Sequence, residues 1–473
     1  MISNYKRKTL AAVAGLPVLF TLLAGCSGNH NENNSPSPSA SAPASEQAAN
    51  TASAASDKPK EKVEVSFWAL QFEPYMDEWW KKWVAEFNAQ SDSTIIKLEI
   101  VPNGEPYQQK LKAAQAAGTA PEIVQSSWTD VIAKYATNSL MLPLDDYLSQ
   151  DAFDNLFPIA QQAVTYKGKH YAYPLFVEPA GVFYYRKDKF AEAGLDPEKP
   201  PASWDELIEY GKKLTKEGQY GFQMAGPAAE AGIVSWELEY MLGTGAISED
   251  WSKATVNDDK HKQILQFWKQ LYDEKIVPKQ PLSGWSDLKP LSEGKVAMQL
   301  SGSWGLGQLR GAYKDQVDMK NIGVSSMPTP DGATGVTTTS MGGWFLGIDG
   351  KAKHPEAAAE FISWLLYDNN EPMLDFFKAA GYCRFPITNK LNDAVKSDPE
   401  ASADPFFQAI MEKIIPYALP EPSYPFDIRL AMGSAIDRVI IEGMDIDKSL
   451  AQADKEINDF IKKNDVQAKR PNA

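Results

Sequence analysis

Two cysteines and four histidines are all that 473 residues supply as thiol or imidazole groups. Two cysteines cannot build a disulfide framework, and His30, His170, His261 and His354 are too scattered to suggest a metal cluster. H-E-x-x-H, G-x-S-x-G, the P-loop and C-x-x-C are all missing, and Gly305-Leu306-Gly307 lacks the third glycine and acidic partner of a dinucleotide fingerprint. Zinc enzymes, thiol-redox proteins, serine hydrolases and nucleotide enzymes lose their support, and no metal, cofactor or catalytic residue is expected. Basic residues are also short, 47 against 62 acidic, for a net charge of −15. Such a surface repels phosphate backbones, so nucleic acid is not an expected partner.

What the chain does have is apolar and aromatic: 43% hydrophobic residues with 13 Trp, 19 Tyr and 20 Phe, enough for a sizeable core. Its length favours two or more domains. Residues 1–25 join Lys6-Arg7-Lys8 to about 16 mostly apolar residues, the layout of a signal peptide and too short for a membrane span. Loss of those three charges leaves the mature chain at −18. Leu23-Ala24-Gly25-Cys26 resembles the bacterial lipobox, which implies a lipid on Cys26 and stable attachment to a membrane. Residues 26–62 then read as the lipidated cysteine and a disordered Ser/Ala/Pro/Asn tether, spanning roughly 30–36 Å as a flexible coil.

From Val63 the pattern turns to alternating strand and helix, an α/β arrangement. Val63, Val65 and Phe67 alternate; Met76, Trp79, Trp80, Trp83, Val84 and Phe87 recur at helical spacing. A second strand through Ile96, Leu98 and Ile100 leads to a helix with Tyr107, Leu111 and Ala114, capped at Gly118, and Glu122–Gln125 reads as a short buried strand. Ser203-Trp204-Asp205-Glu206 fits a capping box. Pro355 starts a helix, and Asp447 is placed to cap the last one.

Several collinear segments over residues 63–462 resemble the extracellular solute-binding proteins of sugar-importing ABC transporters, the group typified by maltose-binding protein. They are Ala120-Pro121-Glu122-Ile123-Val124; Tyr166-Lys167-Gly168-Lys169-His170-Tyr171-Ala172-Tyr173-Pro174 running on to Phe183-Tyr184-Tyr185-Arg186-Lys187-Asp188; and Pro200-Pro201-Ala202-Ser203-Trp204-Asp205-Glu206-Leu207. Glu293-Gly294-Lys295-Val296-Ala297-Met298 with Gly302-Ser303-Trp304, and Met341-Gly342-Gly343-Trp344, complete the set. The resemblance implies a two-lobed periplasmic-binding-protein-like fold of type II, with ligand in a cleft between lobes joined by hinge crossings. Lobe one is expected over 63–177 plus 331–380, and lobe two over 178–330 plus 381–473. It further implies a monomeric, non-catalytic receptor that delivers a carbohydrate to ABC permease subunits on the extracytoplasmic face of the membrane; the long tether suits a single-membrane bacterium, with a periplasmic setting as the alternative.

A sugar offers an apolar C–H face and a rim of hydroxyls, so its cleft needs aromatic plates beside acids, amides or arginine. Trp304 and Trp344, in glycine-flanked turns, are the expected plates, with Gly343 beside the second. Trp128 and Asp130 follow the Glu122–Gln125 strand. Gln71 and Glu73 follow the first strand, Trp236 and Glu237 lie in a glycine-rich part of lobe two, and Glu178 falls at the first crossing. Arg384 occupies another probable crossing, where it could grip hydroxyls or a uronic carboxylate, or pair with an acid. Other readings stay open. Acidic pairs such as Asp145-Asp146 would suit an anchored glycoside hydrolase, and the same fold takes non-sugar solutes, including ferric ion through tyrosines such as Tyr184-Tyr185, peptides, or glycerol phosphate.

Overall fold

The computed structural model describes residues 61–226 and 229–471. The predicted leader, the Cys26 anchor and all but the end of the tether lie outside the described residues.

Among the described residues the strands are, in chain order, β1 Val63–Gln71, β2 Thr94–Pro102, β3 Ile123–Ser127, β4 Thr165–Tyr166, β5 Lys169–His170, β6 Tyr173–Pro179, β7 Val182–Arg186, β8 Tyr220–Gln223, β9 Val296–Ser301, β10 Ile322–Ser326, β11 Ser340–Ile348 and β12 Leu419–Pro420. A six-stranded sheet has the order β12-β11-β3-β1-β2 with β6 also paired to β11, and a four-stranded sheet has the order β10-β7-β9-β8. Within the first sheet β1 is parallel to β2 and β3, whereas β11 runs antiparallel to β3 and β6. The chain leaves the first sheet at the end of β6 and enters the second at β7, so Ala180-Gly181 is a crossing. It returns between β10 and β11.

A core built on the first sheet reaches on to Val182, Tyr184 and Ile322 of the second, whose other face carries a core of its own. Val65 and Phe67 of β1 meet the apolar stripe of helix Pro74–Gln90, with the Phe67 and Trp80 rings edge to face at 4.9 Å. The second core gathers Phe183, Phe222 and Met298 from its sheet, under Trp204, Phe267, Ile436 and Ile457 from helices. The capping box forms as the spacing predicts: Ser203 Oγ accepts from Glu206 N–H at 3.1 Å and Glu206 Oε2 from Ala202 N–H at 2.7 Å. Gly118 takes the left-handed conformation at φ 70°.

Three expectations shift. Asp445, not Asp447, caps the final helix, accepting from Lys448 N–H at 3.1 Å, because that helix starts one residue later than Asp445 and Asp447 lies inside it. Residues 385–388, placed in lobe two by the sequence reading, pair with the first lobe instead (Phe385 with Val177, Thr388 with Leu156), whereas helix Pro405–Lys413 lies against β10 of the second sheet. Only after β12 pairs with β11 does the chain join the second core, at helix Phe426–Ile440. Trp344 does not stand in a turn; it lies within β11.

Candidate functional site

Helix Pro74–Gln90 begins where β1 ends, and Glu73 stands at its N-cap position. β6 carries Glu178 to the rim of the first sheet, and β11 brings Trp344 beside it. Met341-Gly342-Gly343-Trp344 has a turn-like composition, yet the glycines serve close packing: a Cβ on Gly343 would fall 2.4 Å from the Phe176 carbonyl oxygen and 2.6 Å from the Trp128 ring. The pairing of β11 with β6 slips between Trp344 and Phe345. Such a bulge re-aims side chains, and Trp344 is the one partly exposed residue of an otherwise buried strand.

The Trp344 indole is held on two sides. Its Nε1–H donates to Glu178 Oε1 at 2.9 Å, and its ring lies edge to face with Phe72 at 4.6 Å. Glu178 Oε2 is 2.9 Å from Arg384 Nε, and Arg384 Nη2 lies 3.4 Å from both oxygens of Glu73. Arg384 is thus an acid-paired arginine, 3% exposed, sitting over the Phe176 ring. Its bonds to Glu73 are long, which leaves donors under-used. Burial pushes the Glu178 carboxyl up, and Arg384 and the Trp344 N–H pull it back. Cys383 is buried, and burial holds its thiol up.

Trp128 is a core residue, 3% exposed, and donates to the Trp344 carbonyl at 3.2 Å. It backs the β11 glycines and presents no free face, since the tight contact at Gly343 needs a ring behind it. Asp130 is half-buried, accepting from Ser126 Oγ at 3.0 Å with Lys134 Nζ at 3.7 Å. Gln71 ends β1 exposed and donates to Asp77 at 3.0 Å, within its own turn. Tyr184 and Tyr185 are strand residues buried in the two cores, and Tyr184 donates to the Gly302 carbonyl at 2.8 Å.

On the second lobe, Trp304 precedes helix Gly305–Arg310 and is partly exposed, its Nε1–H fixed on the Ser286 carbonyl at 2.9 Å. Trp285 meets it edge to face at 5.2 Å. Trp236 and Glu237 lie on helix Ala229–Met241, not in a loop. Trp236 is buried and donates to Tyr424 OH at 3.0 Å. Glu237 is spent on the hinge: its Oε1 accepts from Ser340 Oγ at 2.8 Å and its Oε2 from Ser340 N–H at 2.5 Å. Burial pushes its carboxyl up to about 8 against those bonds, with Glu421 adding to the rise.

Two site residues escaped the sequence reading. Arg429, 8% exposed, sets its guanidinium over the rings of Trp236 at 4.0 Å and Phe426 at 4.6 Å, and its Nε–H has no partner among the described residues. Its position follows from a close helix crossing, where a Cβ on Gly232 would lie 2.2 Å from the Arg429 carbonyl oxygen. Glu421, against Gly342, is pushed up to about 7 by burial, relieved by Arg429 and reinforced by Glu178 and Asp130. The i, i+3 spacing of Phe426 and Arg429 at a helix start was the available signal. Five acids, Glu73, Asp130, Glu178, Glu237 and Glu421, therefore share this region with two guanidiniums, and burial holds Glu178, Glu237 and Glu421 toward their neutral forms. Among the described residues no group of three or more His, Cys, Asp or Glu is placed to hold a metal ion.

The sequence pattern of the bacterial extracellular solute-binding proteins matches residues 73–368. The chain belongs to that family. It is 25% identical over 292 residues to an uncharacterised ABC transporter extracellular-binding protein of Pyrococcus horikoshii, covering 59% of this chain and 62% of that one. A maltotriose-binding protein of Pyrococcus abyssi is 24% identical over 364 residues, 75% of this chain and 73% of its own. Among solved structures, the cyclic alpha-maltosyl-1,6-maltose binding protein of Arthrobacter globiformis superposes with a TM-score of 0.69 at 24% identity, covering 85% of this chain and all of the other. The two-lobed α/β solute-binding fold of the sequence reading is the fold of this chain, and the family is one of binding proteins, not of enzymes.

Proposed function

We propose that the protein is a lipid-anchored, extracytoplasmic receptor that closes on an uncharged carbohydrate and presents it to the permease of an ABC importer. The observation that carries this reading is the half-exposed Trp344 plate, clamped by Glu178, which is itself paired to Arg384. An indole face matches the C–H face of a pyranose, and an adjacent carboxylate and guanidinium accept and donate to its hydroxyls. Trp304 faces the task from the second lobe, with Asp130, Glu73, Glu421 and Arg429 as further polar contacts. The Pyrococcus abyssi and Arthrobacter relatives are named for maltose-type sugars, which supports the class. Hydrolysis of a glycoside would need two carboxyls free to act as acid and nucleophile or base, whereas Glu73 and Glu178 share Arg384.

The test is a melting-temperature and calorimetric titration of the protein with neutral sugars, uronic acids and glycerol 3-phosphate, assaying each sugar afterwards. A neutral sugar at 100 times its Kd is expected to stabilise by about 2.7 kcal/mol and to be recovered intact. Stabilisation by the anionic solutes alone would overturn the proposal.

A further inference from the structure

The segment after helix Ile446–Asn464 runs from the second lobe to the first. That helix packs in the second core through Leu450, Ile457 and Ile461, and Asp465, at φ 48°, turns the chain out of it. Val466 roots the turn: it is fully buried in the same core, and its N–H donates to the Ile461 carbonyl at 3.1 Å. A 3-10 turn, Gln467–Lys469, keeps the next residues short of slack, with Lys469 N–H on the Val466 carbonyl at 3.0 Å and Arg470 N–H on the Gln467 carbonyl at 3.2 Å. The segment then meets the β4–β5 hairpin, where the Pro471 carbonyl accepts from the Lys167 N–H at 3.2 Å. Among the described residues this is the one backbone–backbone hydrogen bond between residues 63–172 and the second lobe.

The receiving end is firmly built into the first lobe. Lys167 and Gly168, at φ 49° and 76°, make the two-residue turn of the hairpin. Tyr166 pairs with Lys169, so the Lys167 N–H lies outside the hairpin's own ladder. His170 holds the hairpin down: its ring stacks on Phe153 at 4.0 Å, and its N–H donates to Asp145 Oδ2 at 2.7 Å. Arg470 and Pro471 also edge an interlobe cavity of about 840 Å³, lined by Gln162 and His170 on one side and by Tyr240 and Trp251 on the other. The root of the segment moves with one lobe and the Lys167 donor with the other. Rotation about Ala180-Gly181 that parts the lobes must therefore stretch or break the bond.

We propose that residues 467–471 are an interlobe strap that opposes opening and keeps the free receptor near its binding-competent arrangement. A receptor so held loses less affinity to the closing step. The test compares the full chain with a chain stopped after Val466, with melting temperature as the fold control. Hydrogen exchange at the Lys167 amide is expected to be slow in the full chain and fast in the shortened one. Without sugar, solution scattering is expected to give the shortened chain a larger radius of gyration. Calorimetry with maltotriose is expected to give it a roughly three- to ten-fold lower affinity, the range of one hydrogen bond. Arg470→Gly with Pro471→Gly keeps the carbonyl but loosens the chain that carries it. This variant is expected to move all three readouts the same way, and it decides the matter if the shortened chain does not fold. The affinity readout rests on the carbohydrate reading above, and the other two do not. Failure of maltotriose to bind would count against that reading, while exchange and scattering still decide the strap. An equally slow Lys167 amide without the segment, an unchanged radius, or sugar affinity that is unchanged or tighter would overturn the strap.

Discussion

Trp344 and Trp304 differ in what a truncation would break. The Trp344 indole is bonded to Glu178, so its loss frees one oxygen of a buried carboxylate that Arg384 still balances. Trp304 is tied only to a backbone carbonyl and to Trp285. Trp344→Ala and Trp304→Ala are each expected to cost about 1–3 kcal/mol of sugar affinity. The first should also lower the melting temperature more than the second. Equal, unchanged affinities in titration calorimetry would remove both rings from the site. The sequence singled out these two residues as large aromatics outside helical stripes, and both rings are partly exposed. It misjudged Trp128 and Trp236, because a tryptophan after a strand and one near glycines look alike whether the ring faces a cleft or a core. Only the neighbours decide, and here they are the β11 glycines and Tyr424.

At the scale of elements, helix Ala229–Met241 of the second lobe meets the start of β11 of the first through Glu237 and Ser340. Glu237 at about 8 and Glu421 at about 7 hold their protons more tightly folded than unfolded, where a glutamate titrates near about 4.3. The folded state therefore binds more protons between those values, and stability falls as pH rises. Their contribution is complete below about pH 4.3 and is lost progressively up to about pH 8. Melting curves from pH 5 to 9 are expected to show a decline that Glu237→Gln makes shallower. An identical slope in the variant would show that Glu237 does not titrate there. Nothing in the sequence disclosed this latch, since the two residues are 103 positions apart and neither belongs to a motif.

At the scale of the molecule, the anchor and the binding body are proposed to act independently. If Cys26 carries the lipid, Cys26→Ser is expected to move the protein from the membrane to the soluble fraction, with sugar affinity unchanged. Retention in the membrane fraction would overturn the anchor. Among the described residues no helix is long and apolar enough to cross a membrane. Closure of the lobes is expected to shift the protein to a smaller radius in solution scattering on addition of sugar.

The strand–helix alternation and the capping box were legible in the sequence, because periodicity and caps are local properties that few residues decide, whereas the two-lobed fold was implied by the family resemblance. The same resemblance implied a first crossing near Glu178, and the chain passes between the two sheets at Ala180-Gly181. The course of residues 383–414 was not legible, because an amphipathic helix shows that it is buried but not in which core. Nor was the engagement of Arg384 by two acids, or the placing of Arg429 over two rings. Those are meetings of residues far apart in the chain, settled by how strands pair and how closely two helices can cross at Gly232. Local chemistry thus chose the elements, and tertiary packing chose which polar groups were left free to bind.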